Sequence, residues 1–158
     1  MKIVEVRLWG TTIGAAALEP DSIHATFEYD PAFLDSGIEV SPLKMPLAPT
    51  PYRFPELNPD TFRGLPGLLA DSLPDQFGET LIRAWLATLN RNVESFSSIE
   101  RLAYVNTRGM GALEYFPVKD GFSNKVQDLE VDELVRLANE VLDMRKGLQV
   151  SFDTSERR

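Results

Sequence analysis

Six prolines fall between residues 42 and 59: Pro42, Pro46, Pro49, Pro51, Pro55 and Pro59. Proline has no backbone N–H and fixes φ at about −65°, so this stretch is neither a central strand nor a continuous helix. Between the prolines stand Leu43, Met45, Leu47, Tyr52 and Phe54. A disordered linker is poorer in large apolar residues. The stretch therefore reads as an extended, packed connector whose apolar members are expected to be buried. Regular elements have to be sought on either side of it.

On the N-terminal side the pattern is β. Ile3, Val4, Val6 and Leu8 precede a turn at Gly10-Thr11-Thr12, and Ile13 to Leu18 form the return strand. After the turn residues Glu19-Pro20-Asp21-Ser22, the apolar residues Ile23, Ala25, Phe27 and Tyr29 alternate with His24, Thr26 and Glu28, the period of a half-buried strand. An antiparallel meander is expected. On the C-terminal side the period becomes helical. Phe62, Leu65, Leu68 and Leu69 suit a short helix ending near Asp71-Ser72, and Pro74 is placed to open the next. Phe77, Leu81, Ile82, Trp85, Leu86 and Leu89 form one apolar stripe closed by Asn90-Arg91-Asn92. A further helix is expected around Ser98 to Tyr104. Gly109 and Gly111 lead into a strand, Ala112 to Phe116, closed by Pro117. Val118 to Lys125 read as a loop. Leu134, Leu137, Ala138, Val141 and Leu142 mark a last amphipathic helix with Gly147 as its C-cap, followed by a polar tail from Gln149. The sum is an α+β fold, a small antiparallel sheet with helices packed on one side.

Composition then removes chemistry. The chain has no cysteine, so disulfides, thiolate metal sites and a cysteine nucleophile are excluded. One histidine, His24, makes a Ser-His-Asp triad improbable and leaves zinc only carboxylates. His24 and Glu28 share the polar phase of their strand, which reads as a solvated face rather than an acid–base pair. A formal net charge of −8 opposes binding to nucleic acid or an anionic membrane. Charges alternate with apolar residues from Lys2 to Arg7, unlike a signal peptide, and no run approaches the roughly 18 apolar residues of a membrane helix. A cytoplasmic protein is expected.

Two clusters remain. Arg108-Gly109-Met110-Gly111 has a Gly-x-Gly, but without the third glycine of a dinucleotide fingerprint or the Gly-Lys-Ser/Thr of a P-loop. It also leads into a strand, whereas those loops lead into a helix whose N-terminus holds the phosphate. A tight turn accounts for it better. Asp71, Asp75 and Glu79 could gather Mg²⁺ or serve as paired acids, yet acidic residues at a helix start are what the helix dipole favours, so capping is expected. No Gly-x-Ser-x-Gly elbow, His-Arg-Asp segment or Asp-Phe-Gly occurs.

Three segments, in order, resemble the N-terminal domain of HipA-like kinases, the serine/threonine kinase toxins of bacterial type II toxin–antitoxin modules. They are Val6-Arg7-Leu8-Trp9-Gly10-Thr11-Thr12-Ile13-Gly14; Glu39 to Leu47, followed by Phe62 to Asp75; and Arg108 to Pro117. The resemblance covers most of residues 3 to 117. It implies a HipA N-terminal-like domain over 1–118, with 119–158 a loop and amphipathic helix leading toward a kinase domain that the chain does not contain. In intact relatives the ATP-binding loop, catalytic aspartate and Mg²⁺ ligands lie in that C-terminal domain, so no catalytic, cofactor or metal residue carries over, and ATP and Mg²⁺ belong to the absent part. Relatives phosphorylate protein targets such as an aminoacyl-tRNA synthetase.

The expected role is thus non-catalytic regulation and docking. The partners implied are the kinase domain, in cis or in trans, and a DNA-binding antitoxin, with no direct nucleic-acid or membrane contact. Leu68, Asp71, Ser72, Leu73, Pro74, Asp75, Arg108, Gly109 and Gly111 are the interaction candidates. A free-standing antitoxin-like protein that restrains a separately encoded kinase is the alternative, and a small hydrolase built on Asp71, Asp75 and Glu79 ranks last.

Overall fold

The computed structural model describes residues 1–118 and 136–143. The chain divides into two compact units. The first holds Met1–Pro74 and the described part of a segment beginning at Phe96; the second holds Asp75–Ser95 and residues 136–143.

In the first unit, β1 (Lys2–Leu8), β2 (Thr11–Leu18), β3 (Thr26–Tyr29) and β4 (Leu113–Pro117) form one antiparallel sheet in the order β3-β2-β1-β4. The expected meander is present, and the last strand returns to the free side of the first. Two residues, Trp9 and Gly10, join β1 to β2 with Leu8 opposite Thr11. Both have positive φ, 48° and 80°, the signature of a type I′ hairpin turn. A bulge beside Val6 and Arg7 lets Ile13 join Gly14 on the inner face. Val4, Val6, Ala16, Phe27, Tyr29 and Tyr115 complete that face, all buried. Phe27 lies so close to Gly14 that a Cβ there would stand 2.2 Å from the Glu28 carbonyl oxygen and 2.8 Å from the Phe27 ring.

The inner face is covered by α5 (Ser98–Val105), which packs on β1, β2 and β4. Every residue of α5 is buried. Its start is a capping box: the Ser97 hydroxyl and the Glu100 carboxylate each take the other's backbone N–H. Glu100 is also paired with Lys2 at 2.6 Å, which ties the helix start to the first strand. Arg101 donates to the Phe96 carbonyl and lies over the Phe96 ring, so its charge is buried with partners.

The proline-rich connector is packed as expected, through few residues. Phe27 and Tyr52 exchange backbone hydrogen bonds of 2.9 and 2.7 Å, a single bridge on the outer edge of β3. Met45 is buried, and its carbonyl accepts from the Tyr29 hydroxyl at 2.7 Å. Leu43 departs from expectation: it is 93% exposed. The Met45 N–H closes a turn onto the Ser41 carbonyl at 2.8 Å, and this turn points Met45 inward and Leu43 out.

Two further expectations are corrected. The helix read from Phe62 to Ser72 is two single turns, α2 (Pro59–Phe62) and α3 (Gly67–Ala70), preceded in the chain by the one-turn α1 (Pro31–Leu34). Arg63 and Gly64 between α2 and α3 have φ of 50° and 74°, which no right-handed helix accommodates. The strand read from Ile23 begins only at Thr26. His24 lies before it, held by Ser22, whose hydroxyl accepts from the His24 N–H and donates to the His24 carbonyl. Its side chain is half-buried with Nδ1 buried and unbonded, not on a solvated sheet face.

The second unit contains α4 (Gln76–Thr88), a 3-10 turn (Val93–Ser95) and α6 (136–143). The stripe read from the sequence buries Ile82, Trp85 and Leu86. Pro74 sits just outside α4, and Asp75 is the N-cap. In α6, Leu137 and Val141 are buried. The expected loop beyond Val118, Leu134, the Gly147 cap and the polar tail lie outside the described residues.

Candidate interaction surface

Both edges of the sheet are partly covered against a further strand. On the β3 side the N–H groups of Ala25 and Phe27 are taken by the carbonyls of Gly64 and Tyr52. On the β4 side Tyr115 N–H donates to the Asn106 carbonyl at 3.2 Å, and Pro117, next in the same phase, has no N–H. A partner finds few open donors there, which disfavours recognition by strand addition. Side chains at the ends of the sheet and on its outer face are left to make contacts.

The outer face is polar. Arg7 donates to Glu5 at 2.8 Å and lies 4.2 Å over the Phe116 ring, and Thr12 donates to the same carboxylate. The hydrogen bond from Arg7, with help from Thr12, holds the Glu5 carboxyl below the usual carboxylate range, and the Arg7 pKa is raised in turn by that bond.

Two of the sequence motifs meet. The buried Tyr115, on β4, donates its hydroxyl to Ser72 Oγ at 2.7 Å, across 43 residues of chain. The contact joins the Leu68–Pro74 segment to the strand that follows Arg108-Gly109-Met110-Gly111. Burial pushes the Tyr115 hydroxyl up to about 12; Ser72 opposes the rise and nearby Asp71 adds to it. Ser72, Leu73 and Pro74 are half-buried and Asp71 is exposed. Leu68 is half-buried, while its neighbour Leu69 is the buried residue of α3. Asp75, on the second unit, accepts from the Gly78 N–H at 2.8 Å, the capping role expected of it, and Glu79 lies in the same first turn. Among the described residues no three His, Cys, Asp or Glu side chains gather in a geometry that would hold a metal.

The Gly-x-Gly turn behaves differently from a glycine-dependent loop. Neither Gly109 nor Gly111 has positive φ; the left-handed residue is Asn106, at 49°, which ends α5. A Cβ at Gly109 would meet Val105 Cγ1 at 2.9 Å, whereas Gly111 has open room. The turn runs directly into β4, with no helix behind it to bind phosphate. Arg108 is exposed, donates to the Tyr104 carbonyl and stands 5.6 Å over the Tyr104 ring.

The residue that sequence reasoning passed over is Trp9. It is 80% exposed and occupies the first central position of the I′ turn, where Asn, Asp or Gly is preferred. Its N–H donates to the Ala112 carbonyl at 3.3 Å, and the Gly10 N–H donates to the Glu114 carboxylate at 3.2 Å, so the hairpin tip is tied to the start of β4, just after the turn that carries Arg108 and the fully exposed Met110. A bulky aromatic at a turn apex, directly before glycine, was the available signal. A left-handed conformation costs such a residue about 1–2 kcal/mol. Trp9→Asn is therefore expected to raise stability by about 1 kcal/mol, read as a Tm higher by about 4 °C in a domain of this size.

The buried tyrosines predict an alkaline limit. Tyr29 and Tyr115 are both pushed up to about 12, chiefly by burial. An unfolded tyrosine titrates at about 10, so between about 10 and 12 the folded state keeps protons that the unfolded state loses. Their contribution to stability is complete below about pH 10 and is lost as pH rises toward 12. Tm should be flat with respect to these groups up to pH 10 and fall above it, with tyrosinate absorbance lagging in the folded protein. Tyr115→Phe should remove part of the fall.

A small antiparallel sheet with one face under a buried helix defines an α+β domain. The chain belongs to the HipA N-terminal domain family, whose model matches residues 4–116. No curated protein and no solved structure matches it. Among the described residues no helix is long and apolar enough to cross a membrane.

Proposed function

We propose that this chain is a non-catalytic regulatory and docking domain of a HipA-like serine/threonine kinase toxin in a type II toxin–antitoxin module. Membership of the HipA N-terminal domain family over residues 4–116 carries the reading. The exposed Trp9, Met110 and Arg108 supply contacts of the kind a docking domain uses. In this reading phosphoryl transfer, ATP and Mg²⁺ belong to the kinase domain, and the chain acts by binding it, in cis or in trans, in the cytoplasm. A DNA-binding antitoxin is the second partner.

The test is to mix the purified chain with the HipA-like kinase encoded with it and to follow complex formation by light scattering and autophosphorylation with ATP and Mg²⁺. A stoichiometric complex with an altered autophosphorylation rate is expected, and no phosphate transfer by the chain alone. Failure to bind, or ATP turnover by the chain itself, would overturn the proposal.

A further inference from the structure

We infer that the β1–β2 hairpin tip is the binding anchor of this domain, with Trp9 and Met110 entering an apolar socket whose rim carries carboxylates facing Arg108. The inference rests on the docking role proposed above and names the surface and the chemistry of its counterpart on the kinase. Its first support is backbone strain. Trp9 holds φ of 48° at the apex of a two-residue turn and remains 80% exposed, so the fold recovers little of the cost by packing the indole. A residue that strains the chain without filling the core is explained by what it contacts outside.

The second support is rigidity. A backbone hydrogen bond from Trp9 N–H to the Ala112 carbonyl, and a bond from Gly10 N–H to the Glu114 side-chain carboxylate, tie the tip to the start of β4. An anchor already fixed in place loses little conformational freedom on binding, and Trp, with Arg, is among the residues that dominate interface energetics. The third support is charge. The chain as a whole is strongly acidic, yet the acids near the tip are engaged: Glu5 holds Arg7, and Glu114 accepts from Gly10. Arg108 stands exposed, and among the described residues no carboxylate pairs with it. The planar guanidinium matches a carboxylate in geometry and charge, which is why the socket is assigned an acidic rim. With the sheet edges partly covered, the hairpin tip and the turn before β4 offer aromatic, thioether and cationic side chains.

Calorimetric titration of the kinase encoded with the chain, supplied in trans, into wild type, Trp9→Asn and Arg108→Glu tests this. Trp9→Asn should bind roughly 30-fold more weakly or worse, the loss typical of a central anchor, while its Tm equals or exceeds that of wild type. Arg108→Glu should bind roughly tenfold more weakly, with the deficit shrinking as salt screens the pair. If wild type binds and Trp9→Asn binds as well, the anchor is refuted and the docking role stands. If wild type does not bind, both fall. A lower Tm for Trp9→Asn would make Trp9 a packing residue and refute the inference whatever the affinities.

Discussion

Gly64→Ala is expected to destabilise the first unit by about 2–5 kcal/mol, enough to remove much of the 5–15 kcal/mol that holds a typical domain together. Two independent costs add. Gly64 has φ of 74°, a conformation that costs a residue with a Cβ about 1–2 kcal/mol. The new methyl would also stand 1.8 Å from the Ile23 carbonyl oxygen, which is backbone and cannot swing aside, and relieving such overpacking typically costs about 1–3 kcal/mol more. The shift that relieves the clash pulls on the Gly64 carbonyl, which accepts from Ala25 N–H at 2.8 Å. Urea denaturation of the variant should show a lower midpoint with an unchanged slope. A midpoint within error of wild type would mean that the two segments do not approach as described.

Tyr115→Ala should cost about 3–5 kcal/mol, as for a large aromatic truncated in a core. Tyr115 is fully buried on the inner sheet face, opposite Val6. Tyr115→Phe keeps the ring and removes only the hydroxyl that bonds Ser72, so a loss of about 1 kcal/mol is expected, with the Ser72 oxygen losing its donor. The pair of variants separates packing from the hydrogen bond that ties the Ser72 segment to β4. Equal losses would show that the ring contributes little. If Ser72→Ala weakens the fold as Tyr115→Phe does, and the double variant adds nothing further, the two groups act as one contact.

Local chemistry accounts for what could be read in the sequence. Alternating residues and Gly10 mark the hairpin, although its turn lies at Trp9-Gly10 rather than at the expected Gly10-Thr11-Thr12 and β2 begins at Thr11. The stripe through Ile82, Trp85 and Leu86 marks α4, because those signals lie within a few residues. The connector was legible as a class through its prolines. Which apolar residue it buries was not: Leu43 and Met45 carry the same hydrophobic signal, and a turn closed onto Ser41 decides between them. The break between α2 and α3 was missed because Phe62, Leu65, Leu68 and Leu69 keep a helical period while Arg63 and Gly64 turn left-handed. His24 was misplaced because the alternation continues through it, whereas hydrogen bonds to Ser22 and between Ala25 and Gly64 replace strand pairing there.

The interaction candidates divide in the same way. The capping role of Asp75 follows from its neighbours and was legible. The meeting of Ser72 with Tyr115 depends on a contact 43 residues apart, which no local pattern encodes. Trp9 escaped notice because in a period-two reading an exposed aromatic at a turn looks like the last residue of a strand. The glycine that follows it is the sequence signal for a turn, and the positive φ of Trp9 separates the two cases in the structure.

The order β3-β2-β1-β4 places the first strand made beside the last. Leu8 meets Leu113 across more than a hundred residues, so β1 cannot be flanked on both sides until nearly all of the family-matched region has been synthesised. At the roughly 5–20 residues per second of translation, β1 waits on the order of ten seconds with one side unpaired. Nascent chains halted before Leu113 would expose that open strand and the uncovered face that α5 and β4 complete. Such a chain is a client for chaperones, and slow decoding between Pro42 and Arg108 should lower the soluble yield of the whole protein more than slow decoding after Pro117.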